Sequence, residues 1–491
     1  MPERRVLHPP LHPPEAFRNP DEAVDKLCVL YDEAVRFLQQ SFVDADGIHE
    51  RPVRYRAYYP QIRVEVLSHR RIDSRLSFGR VGAPGLYSTT ITQPQLFRRY
   101  LTEQIGLFVG NYDAAIEVAS SNVAIPVQFA LEQVAADDLV DPADGWGEAI
   151  RNHFDMPDLA IINDDVVNGL TRRSESGELP LALFPAPRVD YSLARLRHYT
   201  ATHYRHFQPL VLFTNYQHYV EAFEEYARNA LADESSDYCC LVTPGNQELT
   251  DPSGAIAPPA RAPQMPAYHL KRRNGNGITL LNIGVGPSNA KTATDHVAVL
   301  RSNVWLMLGH CAGLRGGQHL GDYVLAHAYL RRDQVLDEDL PVWVPVPALA
   351  EVQKAVENAV GRITSSKGYE LKTVMRTGTV ASVDNRNWEL RASEGLTRQL
   401  SQSRAIALDM ESATIAANGF RFRIPYGTLL CVSDKPLHGE LKLPGMASRF
   451  YKTQVERHLL IGIKALESLR EMPQEYLHSR KLRSFSETAF R

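Results

Sequence analysis

Asp434 follows Ser433 at the carboxyl end of an apolar run, Tyr426 to Val432, in the stretch CVSDKP. A carboxyl group at the mouth of a buried strand can deliver a proton to a bound ligand, because burial there favours its neutral form. The alternative is a turn residue bonded to nearby amides. Lys435 is a poor partner for it, since adjacent residues of an extended chain point opposite ways. A second acidic group stands in Leu408-Asp409-Met410-Glu411, where a short apolar segment gives way to a helical one. An acidic residue in a helix's first turn matches the dipole. Its lone pairs can also accept from two vicinal hydroxyls, each charge-assisted bond contributing about 1.5–3 kcal/mol.

Two glycine-rich turns accompany these carboxylates. NIGVGPSNAKT, residues 282–292, ends a strand and opens a helix. Gly284 and Gly286 let the backbone approach a ligand, Ser288 is placed to cap the helix, and the helix amino end favours an anion. A dinucleotide fingerprint fails here, because Asn289 stands where its third glycine belongs. A plain strand–turn–helix junction is the other reading. GHCAGLRGGQHLGDYV, residues 309–324, offers Cys311 as a nucleophile or a packed small thiol. In it, His310 is either a pocket wall or a turn residue.

The elements that must position these groups follow from apolar periodicity. Helices are predicted over Asp21–Gln40, Tyr219–Leu231, Asn289–Arg301, Ala348–Val360 and Phe450–Arg470, with another over Glu411–Asn418 stopped by Gly419. Short apolar segments predict strands at Arg63–Leu67, Asp158–Ile162, Pro209–Phe213, Tyr238–Thr243, Gly277–Ile283, Asn303–Leu308, Ala405–Asp409 and Tyr426–Val432. Asp322–Tyr329 reads as a strand with edge-like alternation. The proline-rich residues 251–267 read as an irregular surface loop. Alternating strands and helices argue for a mostly parallel sheet with helices on both faces. The expected division is an amino-terminal domain over 1–195, a catalytic domain over 196–475 and a basic tail over 476–491.

The 491 residues suffice for two or three domains. A net charge of −3, with 23% charged residues, gives no support to nucleic-acid coating or membrane attraction. Five cysteines without a CxxC pair read as a reduced cytoplasmic chain with neither a disulfide framework nor a zinc module. No run of roughly 18 apolar residues is long enough to span a bilayer. The start, MPERRVLHPPLHPP, lacks the apolar stretch of a signal peptide. Its two HPP repeats read as a prolyl tail in preference to a metal site.

The order GVGPS, GHCAGL…GDYV, DMESATIAA and a strand ending in SDKP resembles the nucleoside phosphorylase and nucleosidase superfamily. There, four such segments surround one purine nucleoside. GTVASVDNRNWELR (378–391), RFRIPYGTLLCVSDKPLHGELKLPG and the tail HSRKLRSFSETAFR extend the likeness to the AMP nucleosidase family over nearly the whole chain. The resemblance implies an α/β fold: a nucleoside-phosphorylase-like catalytic domain with a central mixed, mostly parallel sheet flanked by helices, plus an α/β (α+β) amino-terminal domain. It implies hydrolysis of AMP to adenine and ribose 5-phosphate by a cytoplasmic homohexamer. Neither a covalently required cofactor nor a site metal is expected. MgATP is the implied allosteric activator, inorganic phosphate the implied inhibitor, and residues 1–195 the implied regulatory part.

By the same resemblance Asp434 serves N7 of the purine and Ser433 orients it. Glu411 holds the ribose 2′ and 3′ hydroxyls above Met410, and Val380, Ala381 and Trp388 line the base. Arg261, His198 and Tyr199 fall near the 5′-phosphate, while Asn215, Gly286, Ser288 and His310 line the pocket. The chain also departs from the phosphorylase pattern. Met307 and His310 align with an arginine and a serine that hold attacking phosphate, and residues 214–219 carry no arginine. Such a site should use water, and Tyr219 stands nearest the place of the small nucleosidases' catalytic glutamate, so no base for that water is named. The alternatives are a phosphorolytic purine nucleoside phosphorylase and a non-catalytic nucleotide-sensing protein. Asp434 and Glu411 together argue against the second.

Overall fold

The computed structural model describes residues 5–43, 53–69, 72, 78–132, 146–170, 177–259, 262–390, 394–441, 448–477, 482–484 and 488–491. The chain forms two units, Met1–Ala194 with Arg483–Arg491, and Arg195–Leu482.

In the first unit the helix Pro20–Val43 buries Val24, Leu27, Tyr31, Ala34, Val35 and Leu38 at helical spacing. Part of that stripe packs with Ile62, Val64, Ile116 and Val118. These belong to a five-stranded sheet ordered Glu15–Phe17, Ile116–Ala124, Tyr58–Val66, Gly85–Thr90, Leu179–Pro180. Ala489 and Phe490 lie in the same core. Phe490 donates its N–H to the Leu181 carbonyl at 2.9 Å, and Ala489 accepts from Gly79 at 2.8 Å. The end of the segment expected as a basic tail is thus core material. Asp158–Ile162, expected as a strand, forms turns. The Asp158 carboxylate takes the Ala160 N–H at 2.9 Å, and Leu159 is 75% exposed.

The second unit carries a ten-stranded sheet. Its strands are β1 Leu210–Thr214, β2 Tyr238–Thr243, β3 Gln247–Leu249, β4 Ala267–Arg272, β5 Ile278–Asn282, β6 Val304–Gly313, β7 Tyr323–Arg332, β8 Met375–Val383, β9 Ala405–Asp409 and β10 Tyr426–Asp434. The order is β3-β2-β4-β5-β1-β6-β9-β8-β7-β10, and β10 pairs back onto β6. Five strands therefore close into a barrel. Half of the sheet's pairings are antiparallel, so it is mixed rather than mostly parallel. β7 is no edge strand: β8 and β10 flank it. Cys311, Val324, Ala326, Val380, Ala407, Leu430 and Val432, drawn from all five barrel strands, form one buried cluster that fills the barrel.

Four helices bear on the site: α1 Gln217–Ala232, α2 Pro287–Val297, α3 Ser412–Arg421 and α4 Ser448–Arg470. Gly419 does not stop α3 but lies inside it. A Cβ there would come within 2.6 Å of the Tyr426 ring, so the glycine admits β10 against the helix. Among the described residues no helix is long and apolar enough to cross a membrane.

Candidate active site

One register row crosses four barrel strands. Ala381 of β8 pairs with Leu408 of β9, Leu408 with Ala312 of β6, and Ala312 with Asp434 of β10. At about 4.8 Å per strand, Asp434 and Leu408 are about 10 Å apart. β9 runs antiparallel to β6, so the chain beyond Leu408 turns back toward the Gly309 end of that strand. Asn215, just past β1, lies there too, its Oδ1 3.3 Å from where a Gly309 Cβ would stand. The candidate site thus extends along β6, with Asp434 near one end and Glu411 with Asn215 near the other.

Glu411 is the N-cap of α3 and 1% exposed. Its carboxyl accepts the Gly286 N–H at 2.6 Å and Asn215 Nδ2 at 3.0 Å. Burial first, and the Asp409 charge second, push it up to about 8. Asp409 is also pushed up by burial, against the hydroxyls of Ser382 and Ser412 and the Ser412 N–H, which all donate to it. With three donors Asp409 is the better home for a negative charge, and Glu411 for a proton. The serine set around Asp409 was not expected from the sequence. The signal for it is the spacing Asp409-x-x-Ser412, a capping pattern.

At the other end Ser433 is buried and donates to Asp434 Oδ1 at 2.6 Å. Asp434 itself is half-buried. The strand runs on through Ser433 to Asp434, two residues past the apolar run, and the carboxylate stands at its end. Lys435 turns away and forms an ion pair with Glu440, and the two backbones bond at 2.7 Å.

The residues expected around the base divide. Ala381, Trp388 and half-buried Met410 share an apolar cluster with Ala312, Leu314 and Leu408. Val380 belongs instead to the barrel interior and is fully buried, because neighbours along a strand face opposite ways. The two residues thus belong to different clusters. Ser288 is exposed and does not cap α2. Gly286, at φ 118°, is the N-cap, with Pro287 in the first turn. His310 packs against Tyr216 edge-on at 4.9 Å and Tyr219 at 5.7 Å between ring centres.

Tyr219 is fully buried, and its hydroxyl lies 2.7 Å from His458 Nδ1. His458 Nε2 meets the Leu429 carbonyl at 3.1 Å. A carbonyl only accepts, so Nε2 carries the hydrogen and Tyr219 donates to Nδ1. Burial, aided by His310, lowers His458 to about 3, which keeps the ring neutral. Tyr219 is therefore committed to α4. Burial holds its phenol well above the ordinary value, and it does not replace a general base.

The 5′-phosphate candidates are not gathered with the others. Tyr199 stacks on His296 with ring centres 6.0 Å apart, and His198 beside it is exposed. His296 lies ten residues beyond Gly286 on α2, about 15 Å at 1.5 Å per residue. Arg261 lies outside the described residues.

The family model "Bacterial AMP nucleoside phosphorylase N-terminus" matches residues 22–178, and "Phosphorylase superfamily" matches 259–459. AMP nucleosidases of two Escherichia coli strains are each 47% identical to the chain over 483 residues, spanning 96% of it and 98% of their own length. Among solved structures, AMP nucleosidase from Bacteroides thetaiotaomicron aligns at 28% identity and a TM-score of 0.43, over 58% of this chain and 98% of that one. Purine nucleoside phosphorylase from Toxoplasma gondii, in complex with immucillin-H, aligns at 17% and 0.42, over 56% and 96%.

Proposed function

The chain belongs to the AMP nucleosidase family, and we propose that it hydrolyses the N-glycosidic bond of AMP to adenine and ribose 5-phosphate. The observation that carries the chemistry is the register row that sets Asp434 across the barrel from the chain leading into Glu411. As the bond between C1′ and N9 breaks, the sugar becomes oxocarbenium-like and the purine takes the electron pair. Asp434 protonates the purine at N7, held for that by Ser433. General-acid help of this kind contributes about 10²–10⁴-fold.

Glu411, carrying a proton, can both donate to and accept from the ribose hydroxyls, with Met410 beneath the sugar. Ala381 and Trp388 offer the apolar wall for the base. Water supplies the hydroxyl that ends on C1′. Arg261, His198 and Tyr199 enter this reading as 5′-phosphate ligands on family resemblance. Family membership likewise supports a cytoplasmic homohexamer activated by MgATP, inhibited by inorganic phosphate and regulated through residues 1–195.

The test is product analysis with AMP, adenosine and IMP, each with and without phosphate. Adenine and ribose 5-phosphate from AMP in phosphate-free buffer are expected. Turnover that requires phosphate and yields a sugar 1-phosphate would establish phosphorolysis instead, and binding of AMP without adenine release would establish a sensor.

A further inference from the structure

We propose that Asn215 positions the hydrolytic water through its side-chain carbonyl, a role that rests on the AMP hydrolysis reading. The residue directly follows β1, and its amide is fixed at one end: Nδ2 donates to Glu411 Oε2 at 3.0 Å. Oδ1 consequently points away from Glu411. It is shielded from solvent and accepts no hydrogen bond from any described residue of the chain. Buried acceptors are almost always satisfied, and one that no protein group satisfies inside a catalytic cleft is matched to a ligand or water hydrogen.

Oδ1 faces the backbone of Gly309, where a Cβ would stand 3.3 Å from it and 2.9 Å from Met307 Cε. His310 and the Tyr216 ring follow along β6. Asn215 lies at the sugar end of the site, and Asp434 at the base end. Displacement at C1′ demands that the nucleophile approach from the side opposite the departing purine, which places it at the Asn215 end.

An amide takes no proton, so Asn215 orients rather than deprotonates. One water hydrogen bonds to Oδ1, and an oxygen lone pair is aimed at C1′. The C–O bond forms as the C1′–N9 pair leaves with the purine. The proton then shed by the added water replaces the one Asp434 gave to N7, and the cycle balances. Glu411, already protonated, is not needed as a base.

Two variants separate this role from simple support of Glu411. Asn215→Ala removes the acceptor. Gly309→Ala crowds it, and the Met307 methyl with it, while leaving the Asn215–Glu411 bond in place. Steady-state kinetics with AMP and product partitioning in water–methanol mixtures are the readouts. Both variants should lose about 10²-fold in kcat, the scale of a misplaced reactant, with KM changed by less than about threefold. Both should also form a larger share of methyl ribofuranoside 5-phosphate than the wild type, because the water is no longer held in preference to methanol. Raised KM with unchanged kcat in both, or methanol partitioning identical to wild type, would overturn the proposal. Failure of the hydrolysis reading would show separately, as wild-type enzyme releasing no adenine without phosphate.

Discussion

Glu411 and Gly286 meet at 2.6 Å, backbone N–H to carboxyl, and each is the cap of a helix amino end. The helices then run side by side. Asn418 Nδ2, further along α3, bonds to Thr294 Oγ1 and Asp295 Oδ1 of α2, each at 2.8 Å. Two positive dipole ends thus converge on one carboxyl group. They would favour its ionised form by at most a few kcal/mol, and burial beside Asp409 outweighs them.

That balance has a pH signature. Glu411 is raised from 4.5 to about 8 in the folded chain. Between those values the unfolded chain ionises while the folded one keeps its proton, so the stability present at low pH declines as pH rises toward 8. Glu411→Gln retains an acceptor for Gly286 and removes the titration. Its melting temperature should fall less steeply than that of the wild type over this window. Parallel pH profiles for the two proteins would refute the assignment.

Asp434→Asn should keep AMP binding and lose about 10²–10⁴-fold in kcat. The amide preserves the shape at the rim and the contact with Ser433 but carries no transferable proton. Adenine release and equilibrium binding of AMP, measured on the same preparation, check both halves. A variant that binds AMP and turns over at the wild-type rate would remove Asp434 from the reaction.

Gly419→Ala should destabilise the second unit by about 1–3 kcal/mol, the usual cost of overpacking. The new Cβ would meet the Tyr426 ring at 2.6–3.0 Å. Tyr426 cannot swing aside freely, because its hydroxyl donates to the Pro347 carbonyl at 2.6 Å. Urea denaturation measures the loss.

Phe490→Ala should cost the first unit about 3–5 kcal/mol, the range for a buried phenylalanine. Phe490 is 1% exposed within a core that includes Leu27 and Ile62. Amide exchange in the Pro20–Val43 helix should quicken selectively. Unchanged exchange there would mean that the helix holds its place without this ring.

Much of this site was legible because its groups stand at junctions where local chemistry changes abruptly. Ser433-Asp434 ends an apolar strand, and Glu411 begins a helix. What escaped was non-local. Closure of β10 onto β6 joins strands far apart in the chain, and no periodicity encodes it. For the same reason Asp322–Tyr329, with its alternating pattern, read as an edge although the strand there is paired on both sides. The failure at Asp158–Ile162 had a different source. Leu159 and Ile161 looked like strand residues, but the Asp158 side chain captures the backbone two residues on, and the turn leaves both apolar groups facing solvent. Val380 and Ala381 were adjacent letters, and pleating sent them to different compartments.

Ala489 and Phe490 leave the ribosome only after all of residues 195–482 have been made. At about 5–20 residues per second that is a delay on the order of tens of seconds. Throughout it, the core residues that pack with Ala489 and Phe490, Leu27 and Ile62 among them, stay without those two partners.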